Sequence, residues 1–84
     1  MFHYSICSEP DRRLFQKQCE ALEKHIPELT KGELLRDVDD SLVQLYSKDG
    51  MRLRVHNSEY VGALYIESEF DLRTYFPNAT TGYT

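Results

Sequence analysis

One six-residue segment, 51–56, alternates apolar and polar side chains without a break. Successive side chains of a β-strand point to opposite faces of the sheet, so the segment predicts a strand with one buried side. The predicted buried set is Met51, Leu53 and Val55, and the predicted exposed set is Arg52, Arg54 and His56. The neighbouring residues continue the pattern, and residues 42–67 predict three consecutive antiparallel strands.

The turn between the first two of these strands decides which side chains share a face. A two-residue Asp49-Gly50 turn would place Leu53 opposite Tyr46. A three-residue loop, 48–50, would place Leu53 opposite Leu45 and would gather the aliphatic residues on one face. Because a slip of one residue reverses the two faces, burial favours the three-residue loop with a left-handed Gly50. The exposed face would then pair Tyr46 with Arg52, Gln44 with Arg54, and Leu42 with His56.

Two elements are predicted before these strands. Residues 2–7 alternate and predict a first strand, with Phe2, Tyr4 and Ile6 on its apolar face. Ser8 and Asp11 have capping-box spacing, and Pro27 ends the helix that they begin. The stripe that faces the sheet is Phe15, Cys19, Leu22 and Ile26, widened by Leu14 and Ala21.

Residues 28–40 leave two alternatives open. Thr30 and Glu33 have capping-box spacing, which favours a single helical turn, although Gly32 inside that turn weakens it. The other alternative is a loop with Leu29 and Leu35 tucked inward.

The C-terminal third predicts a turn at residues 57–59, a last strand over residues 60–67 and a second helix from Ser68 to Pro77. Leu72, Tyr75 and Phe76 would anchor that helix. Residues 1–77 then form a single domain, and residues 78–84 a flexible tail. The expected fold is α+β: a single antiparallel sheet of about four strands with one long helix on one face, in the order β-α-β-β-β-α. The other face stays open to water or to a partner.

Composition excludes several classes of protein. The chain has 84 residues and a net charge of −4, which argues against general affinity for nucleic acid. Its apolar stretches are too short to span a bilayer, and residues 1–4 do not begin a secretory signal. We therefore expect a cytoplasmic protein with no membrane contact, whose Cys7 and Cys19 are reduced and buried.

No catalytic, metal or cofactor site is expected. The chain contains no Gly-x-Ser-x-Gly motif, no Cys-x-x-Cys motif and no phosphate-binding glycine loop. Asp37, Asp39 and Asp40 offer oxygen ligands, but Leu42 and Lys48 stand where a calcium loop would need Gly and Glu. An enzyme is therefore not the predicted function.

The predicted function is binding of a larger macromolecule through protein–protein contact. Short length, acidity and an open sheet backed by a helix resemble the format of immunity proteins, antitoxins and phage proteins that block host defence, such as anti-CRISPR proteins. No residue motif indicates one family. The candidate partner-binding residues are Glu33, Asp37, Asp39, Asp40, Tyr46, Arg52 and Arg54.

Two alternatives remain. A nucleic-acid-binding module would use the basic and aromatic sheet face of Tyr46, Arg52, Arg54 and His56. A structural subunit would pair exposed strand edges or sheet faces in a homodimer, so the sequence leaves monomer and homodimer open.

Overall fold

The computed structural model describes residues 2–75, apart from the side chain of Thr74. These residues form one antiparallel sheet and one α-helix, which confirms the predicted α+β class. In chain order the elements are β1 (Phe2–Cys7), α1 (Arg12–His25), β2 (Thr30–Arg36), β3 (Leu42–Lys48), β4 (Met51–Ser58), β5 (Ala63–Ser68) and a 3-10 turn (Leu72–Thr74). The sheet has five strands in the spatial order β1-β5-β4-β3-β2, so the expectation of about four strands was too low.

Helix α1 follows the predicted apolar stripe but begins later than predicted. Its N-cap is Asp11, whose carboxylate accepts hydrogen bonds from the backbone N–H groups of Arg13 and Leu14 at 2.9 and 3.1 Å. The predicted cap at Ser8 is therefore wrong. The four predicted core residues of the stripe are buried, whereas Leu14 is partly exposed. Ile26 caps the C-terminus immediately before Pro27, as the sequence predicts.

The structure places strand β2 within residues 28–40, where the sequence predicted either a helical turn or a loop. β2 forms an edge strand because the main chain of β3 supplies its hydrogen-bond partners, which no local pattern in the sequence encodes. Gly32 and Glu33 form a bulge between the pairs that Lys31 and Leu34 make with β3. The side-chain amide of Gln44 donates to the carbonyl oxygens of Gly32 and Glu33 at 2.9 and 3.3 Å, which holds the bulge in place. Leu35 is exposed, contrary to the prediction that it is tucked inward.

The turn between β3 and β4 has two residues, so the predicted three-residue loop is wrong. Lys48 pairs with Met51, and Tyr46 pairs with Leu53. Asp49 and Gly50 have φ angles of 53° and 79°, and this left-handed pair is the type I′ turn that fits the twist of a hairpin. The observed register is therefore that of the two-residue Asp49-Gly50 turn, which burial of the aliphatic residues did not favour. It reverses the expected faces of β3, while the buried and exposed sides of β4 are as predicted.

The C-terminal elements also differ from their predictions. Strand β4 extends through Ser58, the turn occupies residues 59–62, and β5 is shorter than residues 60–67. Ser68 ends β5 rather than beginning a helix. Asp71 caps the 3-10 turn by accepting from the N–H of Arg73 at 2.9 Å. Phe76, Pro77 and the predicted tail at residues 78–84 lie outside the described residues.

The core lies between the sheet and α1. Its sheet side consists of the inward residues of four strands, namely Tyr4, Leu42, Tyr46, Leu53, Val55, Leu64 and Ile66. Cys19 is buried in this core as predicted, whereas Cys7 is only partly buried, and neither forms a disulfide with a described residue. Within residues 2–75, no helix is long and apolar enough to cross a membrane.

Candidate functional site

The sheet face that points away from α1 is the open face, and no other helix or strand of the described residues packs on it. Strand register arranges most of its side chains in two cross-strand rows, and Arg52 lies opposite Ser47 beyond them. The tyrosine row runs across all five strands through Ser5, Tyr65, His56, Val43 and Leu35. The arginine row runs across four strands through His3, Glu67, Arg54 and Leu45. Each row places aliphatic side chains toward β2 and polar or aromatic ones toward β1.

Three rings stack on one side of the open face. Tyr65 lies between His3 and His56, with ring-centroid distances of 5.0 and 4.5 Å and interplanar angles of 23° and 6°. Both faces of the Tyr65 ring are therefore covered by neighbouring rings. The stack gives the open face a rigid aromatic ridge, because each ring restricts the rotamers of the next.

The imidazole of His56 is held beside a carboxylate. Its Nε2 lies 2.8 Å from Oε1 of Glu67, buried and without the alignment of a hydrogen bond. A guanidinium nitrogen of Arg54 lies 3.9 Å from the same oxygen. Burial lowers the pKa of His56 below its ordinary value, and Arg54 adds to this effect, while Glu67 opposes it. The net effect favours the neutral imidazole more than in an exposed histidine.

Beside this ridge, the open face contains a groove of about 620 Å³. Leu35, Val43 and Leu45 supply its aliphatic lining, and Arg52 and Arg54 supply charge. Gly32 also lines the groove, and a Cβ at that position would lie only 3.1 Å from the carbonyl oxygen of Leu45. The groove combines an apolar floor with guanidinium donors, a combination typical of protein contact surfaces.

Two loops meet at one end of the sheet and form the acidic tip, defined as residues 37–41 and 59–62. The backbone N–H of Glu59 donates to the hydroxyl of Ser41 at 2.8 Å and joins the loops. The N–H of Asp37 donates to the carbonyl of Ser41 at 2.9 Å, closing the first loop, in which Asp40 has a φ angle of 67°. The carboxylate of Asp39 accepts from the N–H of Ser41, which lowers the pKa of Asp39.

The acidic tip is continuous with the open face. A second groove, of about 310 Å³, is lined by Asp37, Asp39 and Tyr60 from the tip and by Val43 and His56 from the tyrosine row. A partner that covers this end of the sheet would therefore touch both surfaces at once.

The structure brings together most of the predicted site residues. Arg52 and Arg54 lie on the open face, Glu33 lines its groove, and Asp37, Asp39 and Asp40 lie in the tip. Tyr46 is the exception, because it is 3% exposed on the core side. Its hydroxyl donates to Oε2 of Glu23 at 2.7 Å, and burial together with this carboxylate raises the pKa of Tyr46. The prediction that Tyr46 lies on the exposed face is therefore wrong.

Sequence reasoning missed part of the open face and of the tip. Val43 and Leu45 were assigned to the core by the three-residue loop, and Tyr65 was treated only as part of a strand. The Asp49-Gly50 dipeptide could have predicted that Val43 and Leu45 lie on the open face, since it is typical of type I′ hairpins. Val38, Tyr60 and Val61 carry no such signal, because their exposure depends on how the two loops meet.

Comparison of the chain with protein-family models, with curated proteins and with solved structures returned no match.

Proposed function

We propose that this chain is a small binding protein that inhibits or regulates a larger protein by covering part of its surface. The observation that carries the proposal is the open face itself, which no described helix or strand covers and which combines an apolar groove with Arg52 and Arg54. Val43 and Leu45 lie half-buried on this side, and a partner that covered them would bury the rest of their apolar surface. Arginine and aliphatic side chains around one groove suit a protein partner.

Contact with a protein is favoured over contact with nucleic acid for two reasons. Nucleic-acid sheets use exposed rings to stack bases, but His3 and His56 already cover both faces of Tyr65. The acidic tip beside the open face would also repel a phosphate backbone.

A quantitative pull-down from a native cell extract tests the proposal. The baits are the wild-type chain, the open-face variant R52E/R54Q and the control variant R13E/K17Q on the exposed side of α1. Both variants change the net charge by −3, so a difference between them reports the location of the contact. We expect a protein that wild type and control retain equally and that the open-face variant loses by about tenfold or more.

An identical set of retained proteins for all three baits would refute the open face as the contact surface. Circular dichroism of each bait is the check that the variants fold. Sedimentation of the wild-type chain at micromolar concentration shows whether the bait is a monomer or a homodimer.

The second candidate function is nucleic-acid binding, favoured by the presence of Arg52, Arg54 and two histidines on one sheet face. It predicts retention of single-stranded RNA or DNA on a filter at low salt and a steep loss at higher salt. No retention at low salt eliminates it.

A further inference from the structure

The acidic tip presents three apolar side chains to water. Val38 is 101% exposed, Tyr60 is 91% exposed and Val61 is 61% exposed. They belong to two different loops, yet the hydrogen bond from Glu59 to Ser41 brings those loops to the same end of the sheet. None of the three is buried in the core, so their exposure has no role in folding stability.

Hydrogen bonds hold both loops that carry these side chains. The N–H of Val38 donates to the Asp37 carboxylate at 2.7 Å, and the N–H of Val61 donates to the Ser58 hydroxyl at 3.0 Å. The N–H of Gly62 closes the second loop by donating to the carbonyl of Ser58 at 2.9 Å. A loop whose backbone is already held loses little backbone freedom when a partner buries its side chains, so the burial contributes more to affinity.

Acidic residues lie in the same two loops as these apolar side chains. They are Asp37, Asp39, Asp40 and Glu59, and the two loop segments contain no basic residue. Among the described residues, Asp40 is the only one of these acids with a basic neighbour at ion-pair distance, Arg12 at 4.0 Å. Both members of that pair are largely exposed, so it leaves the tip negative.

We propose that Val38, Tyr60 and Val61 insert into an apolar pocket of the protein partner, and that lysine and arginine side chains rim that pocket. This inference rests on the proposed function, and it specifies the chemistry of the partner. Two observations select this occupant: the apolar side chains need a dry pocket, and the surrounding carboxylates need opposite charge. The tip is also continuous with the open face, so one partner can cover both.

The probe is the protein that the wild-type bait captures most strongly from the native extract, identified by mass spectrometry and then purified. Its binding to the full chain is measured by biolayer interferometry for wild type and for the tip variant V38S/Y60S/V61S. We expect the tip variant to raise Kd by about tenfold or more, mainly through faster dissociation. The control L14S/L34S, which replaces two exposed leucines outside the tip, is expected to stay within about threefold of wild type.

A second variant tests the charge. D40N/E59Q removes two carboxylates that accept no backbone hydrogen bond among the described contacts, and it is expected to slow association at low salt by about threefold or more. At 0.5 M NaCl the same variant is expected to associate as fast as wild type, because salt screens exposed charges.

The possible results separate the two proposals. If R52E/R54Q loses the captured protein and V38S/Y60S/V61S binds it as tightly as wild type, the tip inference is overturned and the proposed function stands. If the wild-type bait captures nothing above empty beads, both are overturned. A D40N/E59Q variant that associates at the wild-type rate at low salt overturns the basic rim.

Discussion

The side-chain oxygen Oδ1 of Asn57 accepts a hydrogen bond from the backbone N–H of Asp11 at 2.8 Å. Asn57 is fully buried in β4, and Asp11 is the N-cap of α1, so one side chain joins the central strand to the start of the helix. This bond explains why α1 begins at Asp11, since it holds the backbone just before the first helical turn.

Asn57→Ala is expected to lower the free energy of unfolding by about 1–3 kcal/mol, because it removes this bond and leaves a small void. Urea denaturation followed by circular dichroism measures the change. Gln16→Ala, at an exposed position of α1, is the control and is expected to stay within about 0.5 kcal/mol of wild type. Equal stability of the two variants would contradict a structural role for Asn57.

Truncation of Tyr46 is expected to destabilise the fold strongly, whereas truncation of Tyr60 is expected to change its stability little. Tyr46→Ala empties a buried site and is expected to cost about 3–5 kcal/mol, whereas Tyr60→Ala, at an exposed site, is expected to cost less than about 0.5 kcal/mol. Tyr46→Phe keeps the ring and removes the hydroxyl that donates to Glu23, at an expected cost of about 1 kcal/mol. Urea denaturation of the three variants checks the order. A Tyr46→Ala variant as stable as Tyr60→Ala would mean that Tyr46 faces water.

Gly50 has a positive φ angle in the turn between β3 and β4. Gly50→Ala is expected to cost about 1–2 kcal/mol through backbone strain alone, since an added Cβ has no atom within 4 Å. Asp49→Asn is the matched control, because asparagine tolerates the left-handed region well. Thermal unfolding compares the two variants. Equal melting temperatures would argue against the left-handed turn and the register that it sets.

Folding stability is expected to fall between pH 7.5 and pH 5.5 because of His56. The pKa of His56 is lowered in the folded state, chiefly by burial, with Arg54 and His3 acting in the same direction. The unfolded state therefore binds a proton more readily, and stability is lost as pH falls below the ordinary value of about 6.5. Melting temperatures of wild type and His56→Gln over this range measure the effect. The melting temperature of His56→Gln is expected to change less with pH than that of wild type. Equal changes in the two proteins would mean that His56 does not cause the loss of stability.

Gln44 is expected to hold the bulge of β2. Gln44→Leu removes the hydrogen bonds to the carbonyl oxygens of Gly32 and Glu33 and is expected to cost about 1 kcal/mol. Hydrogen exchange read by mass spectrometry should show a larger increase in exchange rate over wild type in residues 30–36 than in β5, because the loss is local. Uniformly faster exchange throughout the sheet would instead indicate a global effect.

Local periodicity was sufficient for the elements that bury one regular face. The stripe of α1, the strand Phe2–Cys7 and the alternation of β4 are all found where the sequence predicts them. In α1 and β4 the period of hydrophobic side chains matches the period of the backbone, so the buried face is encoded in the segment itself. Arg52 and Arg54 were placed on the open face for the same reason. In β1 the strand is as predicted, but of its predicted apolar face only Tyr4 is fully buried and Phe2 is exposed.

The sequence by itself therefore determined the α+β class, the long helix and the two faces of the central strand. The tertiary structure alone decided the identity of β2 and the meeting of the two loops in the acidic tip. Burial of aliphatic side chains favoured one register, yet the left-handed Asp49-Gly50 turn and the bond from Tyr46 to Glu23 select the other. Strand β2 and the acidic tip depend on contacts between residues far apart in the chain, about which a local pattern carries no information. The Asp49-Gly50 turn is local, and its dipeptide is typical of the observed register.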